Sequence, residues 1–174
     1  VYFDPPVDIG AAGTPVSKVT LDAGEAVTIY AQADDLHAWS NEPFLIATFM
    51  HGSTVVSGVQ RVGDPSQNLV ASVEQYRREY VFLAPSDYDV SFVTIMAPPD
   101  ASVVLDGVAV PPDKFKAVGS SGYRVARIEL EPTGTHRIDA TDRVGIEVYG
   151  YGRDTSYHVP GGLDLGWIAP PPVK

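Results

Sequence analysis

The sequence contains no cysteine, which removes thiolate nucleophiles, disulfides, iron–sulfur clusters and cysteine-ligated zinc in one step. Positive charge is scarce as well: 12 Lys and Arg stand against 22 Asp and Glu, for a net charge of −10 and a pI near 4.6. Holding a phosphate backbone takes clustered cations, so nucleic acid is not expected as a partner, and neither is an anionic membrane. No apolar run approaches the roughly 18 residues of a membrane-crossing helix, so membrane insertion is not expected. Residue 1 is Val, with no basic region leading into an apolar one, and the expectation is a soluble piece of a larger polypeptide. Long helices have little room, because Gly 16 and Pro 15 of 174 residues make about 18% against an average near 12%.

What is present is a globular composition of 44% hydrophobic and 10% aromatic residues, in a chain long enough to bury a core without a metal or disulfide staple. The pattern along it is short and period-two. Val19, Leu21, Val27 and Ile29 alternate with mostly polar residues around Asp22-Ala-Gly-Glu25, which reads as a hairpin. Pro43 to Met50 is a continuous apolar run, expected as a strand covered on both faces, followed by a turn and a strand from Thr54 to Val59. The stretch 66–84 is the longest without Gly or Pro, and Leu69, Val73, Tyr76 and Tyr80 recur there at helical spacing, so at most a short helix is expected near 69–78. Strands follow at Val90–Met96, Ala101–Leu105, Tyr123–Leu130, His136–Ala140 and Val144–Tyr151, divided by Pro98-Pro99, Asp106-Gly107, Pro111-Pro112, Gly119-Ser-Ser-Gly122 and Pro132-Thr-Gly134. Short strands with turn chemistry every ten residues or so predict an all-β fold, an antiparallel β-sandwich. The expected organisation is an N-terminal extension at 1–17, the sandwich at 18–165 and a proline-rich tail at 166–174. Val19–Ala31 also resembles Ile128–Ala140, so 18–62 and 85–165 are either two similar units packed together or two hairpins that merely look alike.

Chemistry-bearing motifs are few. His37, His51, His136 and His158 form no H-x-x-x-H or H-E-x-x-H pair, and ordinary surface or half-buried imidazoles are expected. G-x-S-x-G, a Walker loop and a dinucleotide fingerprint in a βαβ setting are all missing, so no organic cofactor is implied. Most aspartates fall in turns, where their side chains bond nearby backbone; calcium held by Asp34, Asp35 and Asp64 is the functional alternative, without the spacing of an EF-hand loop. Two loop carboxylates could also act as a glycosidase pair with no sequence signature. The richest cluster is Val148 to Gly162, where Tyr149, Tyr151, Arg153, Tyr157 and His158 set amphipathic rings beside glycines, which suits a contact surface for protein or sugar. Alternation sends Tyr149 and Tyr151 to one face, where they could equally cover the edge of the sandwich. Gln75 and Tyr76 are a second candidate patch.

Seven short stretches occur in order: Gly63-Asp-Pro-Ser66, Val73-Glu-Gln-Tyr76, Tyr80-Val-Phe-Leu-Ala-Pro85, Val104-Leu-Asp-Gly107, Gly134-Thr-His136, Val148-Tyr-Gly-Tyr151 and Ser156-Tyr-His-Val-Pro-Gly161. Through them the chain, from about Lys18 to Leu165, resembles the IgGFc-binding-protein N-terminal domain family, in the form found in large secreted bacterial and particularly myxobacterial proteins. Ser66-Gln67 departs from the Ala-Met that often follows Gly-Asp-Pro in that pattern. The family domain is longer at its N-terminus, and the disulfide-rich modules of its animal relatives have no counterpart in a chain without cysteine. The resemblance implies an extracellular or cell-surface, non-catalytic recognition or adhesion module whose loops bind a protein or carbohydrate, and it does not imply antibody binding. A structural spacer or assembly module of a large surface protein is the alternative, and a hydrolase using loop carboxylates a third.

Overall fold

The computed structural model describes residues 1–9, 14–30, 34–56, 61–131 and 133–165. The proline-rich stretch 166–174 lies outside them. Thirteen strands account for most of the regular structure: β1 (Tyr2–Val7), β2 (Val16–Lys18), β3 (His37–Trp39), β4 (Ala47–Phe49), β5 (Gln67–Leu69), β6 (Arg77–Ala84), β7 (Val90–Ala97), β8 (Val103–Leu105), β9 (Val108–Ala109), β10 (Lys116–Ala117), β11 (Arg124–Glu129), β12 (Gly134–Gly152) and β13 (Thr155–Pro160). Every ladder is antiparallel. The all-β antiparallel expectation therefore holds, with the main sheet curled into a half-barrel.

The curl comes from β12. His136–Ala140 and Val144–Tyr151, expected as two strands, are one strand of 19 residues. Its first half pairs with β6 and β8, while its second half pairs with β7 and β13. A register shift between Asp139 and Val144 breaks the ladder to β6 where the partners change. Irregularities of this kind bend a strand and let it pass from one sheet to another. Thr141, Asp142 and Arg143, all exposed, interrupt the inward apolar alternation at the bend, which is why the sequence reads as a break.

Inside the curl the period-two pattern does what it predicts. Tyr80, Phe82 and Ala84 of β6, Val93, Ile95 and Ala97 of β7, and Ile138, Val144, Ile146 and Val148 of β12 form one buried cluster with Ala101, Val103 and Leu130. Burying a Val, Ile or Phe side chain contributes roughly 1.5–3 kcal/mol relative to exposure, so these positions dominate the energetics. Tyr80 keeps its hydroxyl satisfied there: it donates to the Val144 carbonyl at 2.6 Å and accepts from the Arg77 N–H at 2.9 Å. The β8–β9 hairpin closes on Asp106-Gly107, with φ of 51° and 80°, the left-handed pair that a two-residue turn of the primed type requires.

The N-terminal third is built differently. β1 pairs with both β2 and β3, and β4 pairs only with β5; except for β1 these strands are three residues long. The segment 1–17, set apart in the sequence, thus supplies the central strand of a small sheet and buries Phe3 and Val7. Three expectations fail here. The apolar run at 43–50 gives only β4, with Leu45 71% and Phe49 69% exposed, because a two-stranded ladder has one covered face. The hairpin predicted around Asp22–Glu25 keeps its turn, closed by the Glu25 N–H on the Asp22 carbonyl at 3.0 Å, but among the described residues its arms pair only as β2 and an Ile9–Ile29 bridge. Residues 53–56 form a single α-helical turn at the start of the strand expected over Thr54–Val59, of which 57–59 lie outside the described residues. The expectation of at most a short helix near 69–78 is met by a 3₁₀ turn at Val73–Gln75.

Candidate functional site

The second half of β12 divides its side chains strictly. Even positions from Val144 to Val148 enter the core, while Gly145, Glu147, Tyr149 and Tyr151 share the opposite face. Cross-strand partners set what joins them: Thr94 and Phe92 of β7 lie opposite Glu147 and Tyr149, and His158 of β13 lies opposite Tyr149 on its other side. Tyr149 stacks on Phe92 with ring centroids 5.4 Å apart and meets Tyr151 and His158 edge-on at 6.0 and 5.8 Å. Tyr149 and Tyr151 are therefore neighbours on one face, as their alternation predicts. Both are half-buried, and burial pushes both phenols above their ordinary pKa, opposed at Tyr149 by a hydrogen bond with Thr94.

The N-terminal third covers part of this face. Asp35 pairs through both carboxylate oxygens with the guanidinium of Arg127 on β11. From β5, the buried Asn68 reaches Glu147 at 3.3 Å and His158 at 3.4 Å, and His158 and Glu147 lie 3.3 Å apart. The loop at 61–64 closes over Tyr151, with Gly63 packed against its ring and the Gly63 N–H donating to the Gly152 carbonyl at 2.8 Å. Arg61 Nε donates to Asp154 at 2.8 Å.

The remaining candidates are dispersed. Tyr157 belongs to the other face of β13: its ring lies over Gly150, and its hydroxyl donates to the buried Ser91 at 2.9 Å. Arg153 is exposed at the β12–β13 turn and forms a bridge with Val62. Gln75 caps the 3₁₀ turn by accepting from the Ser72 N–H, and its carbonyl accepts from Asp164. Tyr76 is 6% exposed and lies flat against Gly145, where any Cβ would come within 2.3 Å of its ring; burial first, then the nearby Tyr123 and Glu147, pushes its phenol far up. Of the two patches proposed from sequence, only Tyr76, packed at Gly145, shares the face of Tyr149 and Tyr151.

Asp34, Asp35 and Asp64 were the calcium candidates. Asp35 is engaged by Arg127, and Asp64 is exposed on the 61–64 loop, its N–H donating to Ser156 Oγ at 2.9 Å. Among the described residues no group of three or more His, Asp or Glu side chains is placed to hold a metal ion. His136, expected near the surface, is 3% exposed: it stacks on Phe82 and its Nδ1 lies 2.7 Å from Asp106 in the β8–β9 turn. Sequence reasoning missed Asn68 and Glu147. Only the alternation Glu147-Val-Tyr-Gly-Tyr151 could have linked Glu147 to the tyrosines; Asn68, 79 residues away from it, leaves no local signal.

The ordered stretches that carry the resemblance occupy this arrangement. Tyr80–Pro85 is β6, Val104–Gly107 forms the β8–β9 turn, and Val148–Tyr151 and Ser156–Gly161 pair as β12 and β13. The family described as IgGFc binding protein matches residues 4–150. The chain belongs to that family. Its match begins inside β1, so the family pattern takes in the N-terminal sheet as well as the curled one. No curated protein and no solved structure shows a significant match. No helix among the described residues is long and apolar enough to cross a membrane.

Proposed function

We propose that this chain is a non-catalytic, extracellular recognition module that binds a protein through exposed surface elements. The observation that carries the reading is membership of a family described as a binding protein, across 4–150. The structure adds a surface suited to the task. Ala47, Phe49 and Leu69 are exposed on the outward face of the β4–β5 ladder, with Leu45 and Phe44 exposed just before it. Contiguous exposed apolar side chains of this sort mark interaction sites. Aliphatic and phenyl groups favour a protein partner over a glycan, because they offer no hydrogen bonds to sugar hydroxyls.

The test uses immobilised IgG Fc, the partner in the family's description, and a glycan array as probes. Binding to Fc that disappears in a Leu45→Ser/Phe49→Ser variant with an unchanged melt supports the reading. Glycan binding untouched by that variant would move recognition to another face. No binding to either probe, with self-association that grows with concentration in light scattering, would replace it with the assembly-module reading.

A further inference from the structure

The curled sheet has an open seam. Around Ile138 and Asp139 both β6 and β8 pair with β12, so they take its two sides, and β7 and β13 do the same from Glu147 to Tyr151. β6 and β13 pair only with β12, and no ladder joins them, so each keeps one backbone edge without a strand partner among the described residues. Between them lies an open cleft of about 440 Å³, lined by Val81, Phe82 and Leu83 of β6, by Tyr157 and Val159 of β13, and by Tyr88. Edge strands are ordinarily guarded by charges, proline, bulges or shortness, because their unpaired N–H and C=O groups otherwise template another strand. β6 is eight residues long, with its charges confined to Arg77, Arg78 and Glu79. From Glu79 to Ala84 its ladder to β12 is unbroken, and on its outward face Val81 is 65% and Leu83 58% exposed.

Two features select what fits there. A row of free backbone donors and acceptors is matched by an extended chain. A strand laid along β6 turns alternate side chains outward, beside Val81 and Leu83, and the others inward, toward Phe82, Tyr157 and Val159. The β6 of a second copy cannot supply that inner row, because its Tyr80, Phe82 and Ala84 are already buried in its own core. The chain's own path after β13 leads elsewhere: the Gly161 N–H donates to the Ile146 carbonyl and the Asp164 N–H to the Gln75 carbonyl, ahead of the start of β6. We propose that the cleft between β6 and β13 binds an extended segment of a different protein, one with a short run of consecutive apolar residues, which joins the free edge of β6 as an added strand. The run is apolar at every position because both of its faces are covered. This site is separate from the outward face of the β4–β5 ladder and does not depend on it.

The probe is a random octapeptide library displayed on phage and selected against the full chain, which should enrich peptides with a short apolar run. In a synthetic copy of an enriched peptide, alternate amides face β6 and the others face away. Methylating the nitrogens of one alternate set should therefore weaken binding at least tenfold, while methylating the other set leaves it unchanged. Val81→Lys/Leu83→Lys should also weaken binding at least tenfold with an unchanged melt, since both side chains are in solvent; where that variant fails to fold, the two methylated peptides decide. Leu45→Ser/Phe49→Ser should leave peptide binding as it is, so a failure of the Fc experiment does not touch this site. No enriched peptide, equal effects of the two methylation patterns, or binding that survives Val81→Lys/Leu83→Lys overturns the proposal. So does self-association that disappears in that double-lysine variant, which would give the edge to a second copy.

Discussion

Residues 77–161 and residues 1–76 are both β-structured and antiparallel, yet they hold themselves together by different means. In the first, β6 and β7 run eight residues each and β12 runs 19, and inward side chains from all three interlock in one buried cluster. In the second, the six-residue β1 buries Phe3 and Val7, the other strands are three residues long with Asn68 of β5 buried, and the region is tied to the larger sheet largely by polar contacts: Asp35 to Arg127, Asp4 to Ser120, Asn68 to Glu147. Apolar burial contributes in proportion to area, whereas exposed ion pairs contribute about 0–1 kcal/mol each. Residues 1–76 should therefore be the weaker part, although the family pattern takes in both regions.

The largest expected effect lies in the cluster. Ile138→Ala should cost about 2–5 kcal/mol, read as a lower urea midpoint with the slope unchanged; a loss below 1 kcal/mol would mean that the core is not where the cluster places it. Next comes Gly145→Ala. The new methyl meets the Tyr76 ring, and the strain should cost about 1–3 kcal/mol, as overpacking generally does, with a changed tyrosine signal in near-ultraviolet circular dichroism. A wild-type melt with an unchanged spectrum would show that Tyr76 yields freely.

A smaller effect follows from acid. Burial pushes the Asp106 carboxyl upward, but the hydrogen bond with His136, the Arg137 N–H and the proximity of the imidazole outweigh it, so its net pKa lies below the ordinary value. A depressed folded pKa means that its stabilisation is present above the unfolded value of about 3.9 and is lost as pH falls through the lower folded one. Asp106→Asn should flatten the fall of the melting temperature in that acid window; an identical acid profile would show that the pair does not contribute. The smallest change is Phe49→Ser, which should move stability by no more than about 0.5 kcal/mol because its ring is already in solvent. A larger loss would show that the β4–β5 ladder is covered after all.

The sequence was legible where alternation and turn chemistry agreed. The strand expected at Val90–Met96 is found at Val90–Ala97 because Val93 and Ile95 alternate inward, and Asp106-Gly107 names its own turn. It misled where tertiary context decides. The exposed Thr141-Asp-Arg143 in β12 reads as a break although the strand continues through it, and the run Pro43–Met50 is as apolar as a core strand but leaves Leu45 and Phe49 exposed. The candidate face was half legible: period two put Tyr149 and Tyr151 together, but Tyr157 has the opposite parity, and the approach of Asn68 and Asp35 is set by loops between them and the curled sheet. Tyr76 could be singled out as aromatic, whereas the glycine that receives it lies 69 positions away, at Gly145.

Native-state hydrogen exchange tests the contrast between the two regions most directly, because it resolves local from global opening. The amides of β6, β7 and β12 should exchange slowest, with opening free energies equal to that of global unfolding, while those of β2 to β5 exchange faster through openings that leave the curled sheet intact. Equal protection in β1–β5 and in β7 and β12 would contradict the account, since the N-terminal third would then unfold only with the core.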